Sequence, residues 1–515
     1  MAKPTSSSSD HIETIAPPEK EHHRELEDIN AIPLGWFIWV VAFTASIAGL
    51  LFGYDTGIIS AVLVYIGNDL GGRAPTHSEK ELITSLCSAG AFFGAICAGM
   101  TADKFGRKNP IYVGCFLFTI GAALQASAYT IAQMAVGRFV VGLGVGSAAM
   151  IVPLYVAELA PAQVRGRLIG LNNISITGGQ VLSYAIGAAF ASVDNGWRYM
   201  VGLGGVPSII LACLLPWCPQ SPRQLVYKGR VDEARSVLRR IYGQATEHQI
   251  EIILGSIQDA CNEARRLNEN ESKWDKIVQL HRVPANFRAL FSACGLMVMS
   301  QMSGFNTLMY YSSTLFSMVG FDQPVAVGLI VAAPNLAMAF LNVLLVDRLG
   351  RRRLLLYTSW GMCAGLIAVA IAFAFLPVDT ETLEVHTGGT STEAIVILVF
   401  VLWFVLFYGV SVGNTAWMSA DFFPLEVRSM GTMWMTCSTW VSNVIVSSTF
   451  LSMMQTMTPS GTFGFYAGIC GLGWVWIYFF YPEVSGLQLE EIRGIFERGY
   501  GKSMRSRKAP TMELA

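Results

Sequence analysis

Long apolar runs alternate with short polar segments along almost the whole chain. Each run has about twenty or more predominantly apolar residues, the length that an α-helix needs to cross the hydrocarbon core of a bilayer. The first six runs occupy residues 36–66, 82–101, 109–128, 132–156, 167–191 and 199–217. The second six occupy residues 287–317, 324–346, 354–376, 394–419, 430–455 and 463–481. The pattern predicts an all-α polytopic membrane protein with twelve transmembrane helices in two six-helix bundles.

A polar segment separates the two sets of runs and divides the chain into regions. This segment is rich in Arg, Lys, Glu and Gln, and stretches such as "DEARSVLRRIYG" have the period of short amphipathic helices outside the bilayer. The Ser-rich start of the chain has no apolar core, so we expect a disordered tail and no cleavable signal peptide. The predicted regions are an N-terminal tail, a first bundle, a linker, a second bundle and a C-terminal tail, at residues 1–35, 36–222, 223–286, 287–482 and 483–515.

The composition agrees with a membrane protein and argues against several other functions. Of the 515 residues, 53% are hydrophobic and only 14% are charged, far from the balance of a soluble globular protein. A net charge of −1 argues against a nucleic-acid partner. The ten cysteines have no metal-binding spacing, and the hydrolase-like "GVSVG" at 409–413 lies inside an apolar run. We expect no enzyme activity, metal, cofactor or obligate protein partner; the bilayer is the expected surroundings.

Basic residues are concentrated on one side of the predicted membrane. They follow the second, fourth, eighth and tenth runs and fill the linker and the C-terminal tail, whereas the loop at 377–392 has acids but neither Lys nor Arg. Because cytosolic loops carry an excess of Lys and Arg, the linker and both termini are predicted to be cytosolic. We expect a multi-pass protein of the plasma membrane.

Three short motifs occur twice, once in each set of runs. "ADKFGRKNPI" (102–111) matches "VDRLGRRRLL" (346–355), "AELAPAQVRGR" (157–167) matches "ADFFPLEVRSM" (420–430), and "PQSPR" (219–223) matches "PEVSG" (482–486). Two similar bundles related by a pseudo-twofold axis are typical of transporters with a midplane site and alternating access. Candidates for charge clusters that close the cytosolic side are Asp103, Arg107, Glu158, Arg165, Asp347, Arg351, Asp421 and Arg428. Topology alone would also place basic residues there.

One acidic residue lies inside the first apolar run. Asp55 is in the middle of "LLFGYDTGIISAVLV" (50–64), where a charge costs about 2.5 to 3.5 kcal/mol of insertion free energy. Because this cost is large, such a residue is expected to face a hydrated interior and to have a function.

The motifs, together with the twelve runs, resemble the sugar porters of the major facilitator superfamily between residues 36 and 500. Within that family, "NGWRYMVGL", "HRVPANFRAL", "GFNTLMYYSSTLF" and "TPSGTFGFYAGI" are most similar to the fungal myo-inositol transporters. The resemblance implies the major facilitator fold and a secondary transporter that imports a cyclic polyol or a sugar.

The resemblance also implies proton coupling through Asp55. "GYDTG" resembles the version of this motif in proton-coupled porters, and its usual partner in the fourth span would be Arg138 in "AVGRFVVGLGVG". Burial favours the neutral form of a carboxyl group, whereas a neighbouring guanidinium favours the ionised form. Breaking and making the pair would therefore switch Asp55 between proton release and uptake. The alternative is a static ion pair that holds two helices together.

A solute with many hydroxyl groups requires amide side chains, which donate and accept hydrogen bonds, and an aromatic surface for its C–H face. The resemblance assigns this site to eight residues: Asn173, Gln180, Gln301, Asn306, Tyr310, Asn335, Trp417 and Asn443. Each has an alternative role, since buried amides also bond neighbouring helices and aromatic residues also form interfacial belts.

The chain departs from the family pattern near this site. Ser300 stands where the first of two glutamines is usual, Asn173 where a glutamine is common, and Gln220 where an acid is usual. Ala416 replaces a usual proline, which we expect to stiffen the tenth span. A hexose or pentose transporter, proton-coupled or facilitative, and a transporter-like nutrient sensor therefore remain alternatives to a proton-coupled myo-inositol transporter.

Overall fold

The computed structural model describes residues 35–161, 164–268, 273–376, 378–379, 392–424, 426–485 and 489–500. Almost all of the predicted N-terminal tail and the last fifteen residues lie outside this part of the chain. The side chains of Asp103, Arg165 and Asp347 also lie outside the described set.

Helices of the first half begin and end close to the predicted runs. They are α1 (Trp36–Tyr65), α2 (His77–Phe105), α3 (Lys108–Ala126), α4 (Ile131–Leu159), α5 (Arg165–Ala189), α6 (Gly196–Leu203) and α7 (Gly205–Leu214), with a 3₁₀ turn at Leu215–Trp217. Helix α2 begins earlier than its apolar run because a capping box fixes its start. The Thr76 side chain accepts from the Glu79 N–H, and the Glu79 carboxylate accepts from the Thr76 N–H.

Glycines allow the helices of the first bundle to pack closely. A Cβ atom on Gly53 of α1 would lie 1.8 Å from the carbonyl oxygen of Ile176 in α5. One on Gly146 of α4 would lie 1.9 Å from the carbonyl oxygen of Ala91 in α2. Small residues at such interfaces let helix backbones approach each other, which is how membrane helices gain packing energy without a hydrophobic driving force. The result is a tight group of α1, α2, α4 and α5 around Asp55.

The linker folds into short helices at one end of the first bundle. They are α8 (Pro222–Tyr227), α9 (Val231–Ile241), α10 (Glu247–Asn268) and α11 (Lys273–Arg282). Helix α9 buries one face, and its last residue, Ile241, accepts a hydrogen bond from the Gly35 N–H at 3.2 Å. The Arg240 guanidinium lies 4.0 Å from the centre of the Phe37 ring. These contacts attach the linker to the start of α1, at what we call the basic end; the other end is the distal end.

The second half contains the helices of the second bundle. They are α12 (Pro284–Met302), α13 (Phe305–Met318), α14 (Pro324–Leu349), α15 (Arg351–Ala374), α16 (Thr392–Val410), α17 (Val412–Thr415), a 3₁₀ segment at Ala416–Phe422, α18 (Arg428–Thr456), α19 (Thr458–Phe480) and, after the bundle, α20 (Leu489–Glu497). Helices α12 and α13 form the seventh span, and α16, α17 and the 3₁₀ segment form the tenth.

Most of the twelve predicted spans are recognisable from length and hydropathy alone. In the described part of the chain, nine helical segments are long and apolar enough to cross a membrane. A tenth is added if two helical segments joined at an angle of 89°, Trp274–Arg282 and Pro284–Met318, are counted as one span. The remaining two, α5 and α18, are more polar because they carry amides such as Asn173, Gln180 and Asn443 on buried positions. The all-α polytopic fold is confirmed, and its two least apolar spans are those that contribute polar groups to the interior.

Two spans of the second bundle are broken near the middle. The seventh span breaks at Gly304, whose φ of +87° is the left-handed region that favours glycine. The tenth breaks at Ser411, where no proline is present. The freed carbonyl of Gly409 accepts from Asn414 Nδ2 at 2.7 Å, and that of Val410 accepts from Asn342 Nδ2 at 2.7 Å. The break therefore forms without a proline, with amide side chains as its support, and the effect of Ala416 on the stiffness of this span stays a prediction.

Candidate functional site

The Asp55 carboxylate lies at the contact of three helices of the first bundle. Its Oδ1 accepts from Arg138 Nη1 of α4 at 2.5 Å, and its Oδ2 accepts from the Cys87 thiol of α2 at 3.0 Å. Arg138 is 1% exposed and Asp55 is 7% exposed. The Arg138 Nε also donates to the Ile83 carbonyl at 3.3 Å, whereas its Nη2 has no hydrogen-bond partner among the described residues. The predicted partner of Asp55 is therefore in contact with it, in a pair that leaves one donor unused.

A cavity of about 480 Å³ lies between the two bundles near the middle of the spans. Six of the eight predicted solute-binding residues line it: Asn173, Gln180, Gln301, Asn306, Asn335 and Trp417. The sequence therefore predicted most of the amide groups of this cavity.

Hydrogen bonds between the amides determine which atoms remain for a ligand. Gln301 Oε1 accepts from Asn443 Nδ2 at 3.1 Å and also from Asn306 Nδ2. Gln180 Oε1 accepts from Asn335 Nδ2 at 3.1 Å. Both glutamines therefore have their NH₂ groups left for a bound solute, and the Gln180 oxygen also keeps one lone pair.

An asparagine and several aromatic residues that sequence reasoning missed also line the cavity. Asn414 donates its NH₂ to the Gly409 carbonyl, so its own oxygen remains as an acceptor. The Tyr408 ring stacks on Phe305 with centroids 3.8 Å apart and an interplanar angle of 9°. Phe52 contributes a further ring from α1. The available signal was an amide and a tyrosine in "FYGVSVGNTAW", a stretch that is otherwise apolar.

The departure at Ser300 has a structural consequence. Ser300 Oγ lies 3.2 Å from the Tyr408 hydroxyl, and both residues are buried. Tyr408 lines the cavity, whereas Ser300 does not. Ser300 therefore contacts an aromatic residue of the cavity wall from behind.

Two of the predicted solute ligands lie behind the cavity wall rather than on it. Asn443 is fully buried and accepts from Ser88 Oγ at 2.8 Å while it donates to Gln301. Tyr310 lies beside Arg138 and Cys87, next to the Asp55 pair. Both residues support groups that lie closer to the cavity or to the charged pair.

A second, mostly apolar cavity of about 290 Å³ extends from the first toward the basic end. The two cavities share Phe52, Ile176 and Trp417. The second one is otherwise lined by small and apolar residues of α1 and α4, together with Asn172 of α5. Phe52 and Trp417 thus lie between the polar cavity and a path toward the basic end.

The repeated motifs form one described ion pair in each bundle at the basic end. Arg107 Nη2 lies 2.8 Å from Glu158 Oε1, and Arg351 Nη2 lies 2.9 Å from Asp421 Oδ2. Arg428 donates from Nε to the Phe423 carbonyl at 3.2 Å. Each pair joins residues of the same bundle.

Hydrogen bonds between the bundles lie at mid-span and toward the distal end in the described residues. Ser60 of α1 is 3.1 Å from Ser312 Oγ and accepts from the Ser313 N–H at 2.9 Å. Glu81 of α2 accepts from the Ser452 N–H at 2.8 Å and from its hydroxyl at 2.7 Å. The distal ends of the bundles are therefore held together by polar contacts.

No group of three or more His, Cys, Asp or Glu residues that would hold a metal ion occurs in the described part of the chain. The groups present are hydrogen-bonding side chains and aromatic rings at the cavity and one buried ion pair near it.

The sequence of this chain is similar to those of known transporters. Residues 41–496 match the family model described as "Sugar (and other) transporter". The chain is 43% identical to myo-inositol transporter 1 of Cryptococcus neoformans, over 93% of this chain and 85% of that protein. It is 42% identical to myo-inositol transporter 1 of Saccharomyces cerevisiae, over 90% of this chain and 80% of that protein.

Solved structures with the same fold include a proton:xylose symporter of the major facilitator superfamily bound to 6-bromo-6-deoxy-D-glucose. That structure superposes with a TM-score of 0.73 at 25% identity, over 89% of this chain and 99% of that one. An inward-open xylose transporter from E. coli superposes with a TM-score of 0.70 at 24% identity, over 89% of this chain and 100% of that one.

Proposed function

The chain belongs to the sugar transporter family of the major facilitator superfamily, and from this premise we propose that it imports myo-inositol by proton symport with alternating access. It is a multi-pass membrane transporter and not an enzyme. The proposal extends this family membership to a cyclic polyol as the solute, to the proton as the coupled ion and to the plasma membrane as the location, with both termini in the cytosol.

The observation that carries the proposal is a buried Asp55–Arg138 pair in a protein that also has an amide-lined cavity between its bundles. A static structural pair would be expected to satisfy every donor, but Arg138 Nη2 has no partner among the described residues. Protonation of Asp55 would remove the charge that holds Arg138, and α1 and α4 would then be free to separate. The pair would then have two states: one with Asp55 ionised and bound to Arg138, and one with Asp55 protonated and released from Arg138.

The energy available from such coupling is large compared with the cost of concentrating a solute. One proton that crosses a potential of about 150 mV yields about 3.5 kcal/mol, and one pH unit adds about 1.4 kcal/mol. Since 1.4 kcal/mol corresponds to about a factor of ten, the sum supports a gradient of more than about a thousandfold. A facilitative transporter would only equilibrate the solute.

The cavity offers what a cyclic polyol needs. Gln180 and Gln301 provide NH₂ donors, and Asn414 provides a carbonyl acceptor. Tyr408 and Phe52 provide flat surfaces for the C–H face of a ring. The relatives at 43% and 42% identity that are named myo-inositol transporters support this choice of solute.

Alternating access assigns roles to the contacts at the two ends. The distal Ser60 and Glu81 contacts would break when the cavity opens to the outside. The predicted cytosolic clusters of Arg107 with Glu158 and of Arg351 with Asp421 would favour the state in which the basic end is closed. The side chains of their predicted companions at 103, 165 and 347 lie outside the described set.

The decisive experiment compares Asp55→Asn with the wild type in proteoliposomes that contain the purified full chain. We expect the wild type to accumulate labelled myo-inositol when an inward proton gradient is imposed, and Asp55→Asn to lose accumulation because its side chain no longer ionises. Asp232→Asn is the matched control, since Asp232 is exposed on the linker. Undiminished, pH-dependent accumulation by Asp55→Asn would refute the coupling role.

A hexose or pentose is the second candidate solute, favoured by the structural similarity to a proton:xylose symporter. Competition by inositol isomers, hexoses, pentoses and linear polyols against labelled myo-inositol, at two external pH values, separates the candidates. A transporter-like nutrient sensor, the third candidate, would bind a solute without moving it. Uptake of labelled solute by transport-null cells that express the chain would exclude a sensor, and binding without uptake would support one.

A further inference from the structure

The charged pair and the solute cavity are connected by two neighbouring residues of α2. The Cys87 thiol donates to Asp55 Oδ2 at 3.0 Å. The next residue, Ser88, donates to Asn443 Oδ1 at 2.8 Å, and this bond crosses from the first bundle to the second. Asn443 in turn donates to Gln301 Oε1 at 3.1 Å, at the cavity wall. A short series of contacts thus runs from the ionisable group to a residue of the solute site.

We propose that Cys87 and Ser88 are positioning residues that couple the ionisation of Asp55 to the orientation of the Gln301 amide, and hence to the affinity for the solute. The inference rests on the proposed function, because it requires both a coupled proton and a solute bound at Gln301.

The orientation of Asn443 depends on Ser88. An asparagine amide has an oxygen and an NH₂ group on opposite sides, so a donor on one side determines which group faces the other. With Ser88 at its oxygen, Asn443 must offer NH₂ to Gln301, and Gln301 must keep its oxygen turned toward Asn443. Loss of the Ser88 contact removes one of the two reasons for this order, because Asn306 Nδ2 is then the remaining donor that holds the Gln301 oxygen away from the cavity.

The ionisation of Asp55 reaches Ser88 through the thiol. An ionised carboxylate accepts from Cys87, but a protonated carboxyl group whose Oδ2 carries the proton becomes a donor at the same place. Cys87 then has to reorient, or α2 has to move relative to α1. Helix α2 is in close backbone contact with α4, since a Cβ added to Gly90 or Gly94 would lie 2.2 Å from a carbonyl oxygen of α4. A movement of α2 together with α4 would therefore also move Ser88.

Among the described residues, four titratable or charged groups lie near Asp55. They are Arg138 from α4, Cys87 from α2, Tyr54 from α1 and Tyr310 from α13. The Tyr54 hydroxyl is directed elsewhere, since it donates to the Met200 carbonyl at 2.6 Å. Tyr310 lies next to Asn443 and Ser88 as well as Cys87, so it is the competing route to the cavity.

Coupling between two binding sites is reciprocal, so a coupled proton makes the half-saturating solute concentration depend on pH. In the wild type we expect this concentration for myo-inositol to change by about tenfold between an acidic and a neutral external pH. In Ser88→Ala we expect a change of about twofold or less, although the Asp55–Arg138 pair remains. Cys87→Ala tests the route from its other end and should behave likewise, whereas Cys87→Ser keeps a donor and should retain the dependence.

The matched control is Ser85→Ala, one turn earlier on the same helix. Ser85 Oγ donates only to the Leu82 carbonyl of α2, at 3.4 Å, so its removal should leave the pH dependence as in the wild type. A purely structural role of Ser88 would lower the amount of folded transporter and the maximal rate without changing how the half-saturating concentration varies with pH.

The inference is overturned if Ser88→Ala and Cys87→Ala keep the full pH dependence of the wild type. It is also overturned if only Tyr310→Phe removes that dependence, because the coupling would then pass through the tyrosine. A wild type whose half-saturating concentration and accumulation do not respond to pH would instead refute the proposed function itself.

Discussion

The two bundles hold their functional groups by different structural means. In the first bundle, long unbroken helices such as α1 and α4 pack closely through glycines and enclose the Asp55–Arg138 pair. In the second bundle, the seventh and tenth spans break at Gly304 and Ser411, and amides lie close to both breaks. A buried charge requires a rigid, well-packed site with a paired partner, whereas a polyhydroxylated solute requires many donors and acceptors. Under the proposed function, the ionisable group therefore lies in the first bundle and most of the amides that would bind the solute lie in the second.

The third repeated motif, at the basic end, makes different contacts in the two bundles. Glu483 of "PEVSG" accepts from the backbone N–H groups of Arg351 and Arg352 at 3.0 Å each, which caps α15. Its counterpart Gln220 of "PQSPR" is exposed, and α3 begins without a side-chain cap. The repeat preserves the position of the motif in both halves but not its contacts.

The largest effect is expected where the first bundle is most tightly packed. Gly179 and Gly178 are neighbours in α5, but a Cβ on Gly179 would lie 2.3 Å from the Leu50 carbonyl oxygen, whereas one on Gly178 meets nothing within 4 Å. We expect Gly179→Ala to lower the free energy of unfolding by about 3 kcal/mol, since the backbone of α1 would have to move. Thermal unfolding of the detergent-purified protein measures this. Equal midpoints for Gly179→Ala and the control Gly178→Ala would contradict close packing of α1 and α5.

The next effect tests how the second bundle tolerates its broken span. Asn342→Ala removes the donor to the Val410 carbonyl and leaves that buried oxygen without its amide partner. We expect a loss of about 2 kcal/mol in the free energy of unfolding, which is the usual cost of an unsatisfied buried group. Asn109→Ala removes a similar amide-to-carbonyl bond at an exposed position, so it should change the midpoint much less. Similar losses in both variants would mean that the break does not depend on Asn342.

A smaller effect compares one glutamine from each bundle. Gln301 Oε1 accepts from two amides, and Gln180 Oε1 accepts from one. We therefore expect Gln301→Ala to raise the half-saturating concentration of myo-inositol by about tenfold and Gln180→Ala by about threefold, because each variant loses an NH₂ donor and Gln301 also orients two neighbouring amides instead of one. Initial uptake rates over a range of solute concentrations give both values. The reverse order would place the main hydrogen-bonding groups in the first bundle.

The smallest effect concerns the caps at the basic end. Glu483→Gln replaces the charged acceptor at the start of α15 and should lower the free energy of unfolding by about 1 kcal/mol. Gln220→Glu introduces an acid at the equivalent place in the first bundle, where no such contact exists, and should change stability by no more than about 0.5 kcal/mol. Unfolding midpoints of the two variants, compared at low and high salt, measure the difference. A larger effect at Gln220 than at Glu483 would show that the two motifs make equivalent contacts after all.

Much of the fold followed from local features of the chain. Apolar length predicted the positions of α1 to α4, and the repeated motifs predicted that Arg107 and Arg351 occupy equivalent places. The resemblance to sugar porters placed Arg138 next to Asp55, and the structure has these two groups in contact. Hydropathy was least informative for α5 and α18, since the amides that serve the interior also lower the apolar character of these spans.

Other features of the candidate site were beyond the sequence. Tyr408 and Asn414 were not recognised, because nothing in an apolar run states which residues face the cavity. Ala416 suggested a stiff tenth span, whereas Asn342, from a different helix, supports a break there. Asn443 and Tyr310 were predicted to bind the solute, but they lie behind the wall of the cavity.

The sequence by itself determined the membrane class, the duplicated architecture and the presence of a charge that the bilayer would otherwise exclude. These properties depend on the length, composition and order of segments, which are local to the chain. The tertiary structure alone decided that Cys87 contacts Asp55, that Ser88 contacts Asn443 and which amide atoms remain free in the cavity. Such contacts join helices that are far apart in the chain, and a hydrogen bond depends on angstrom-scale distances that no local pattern encodes.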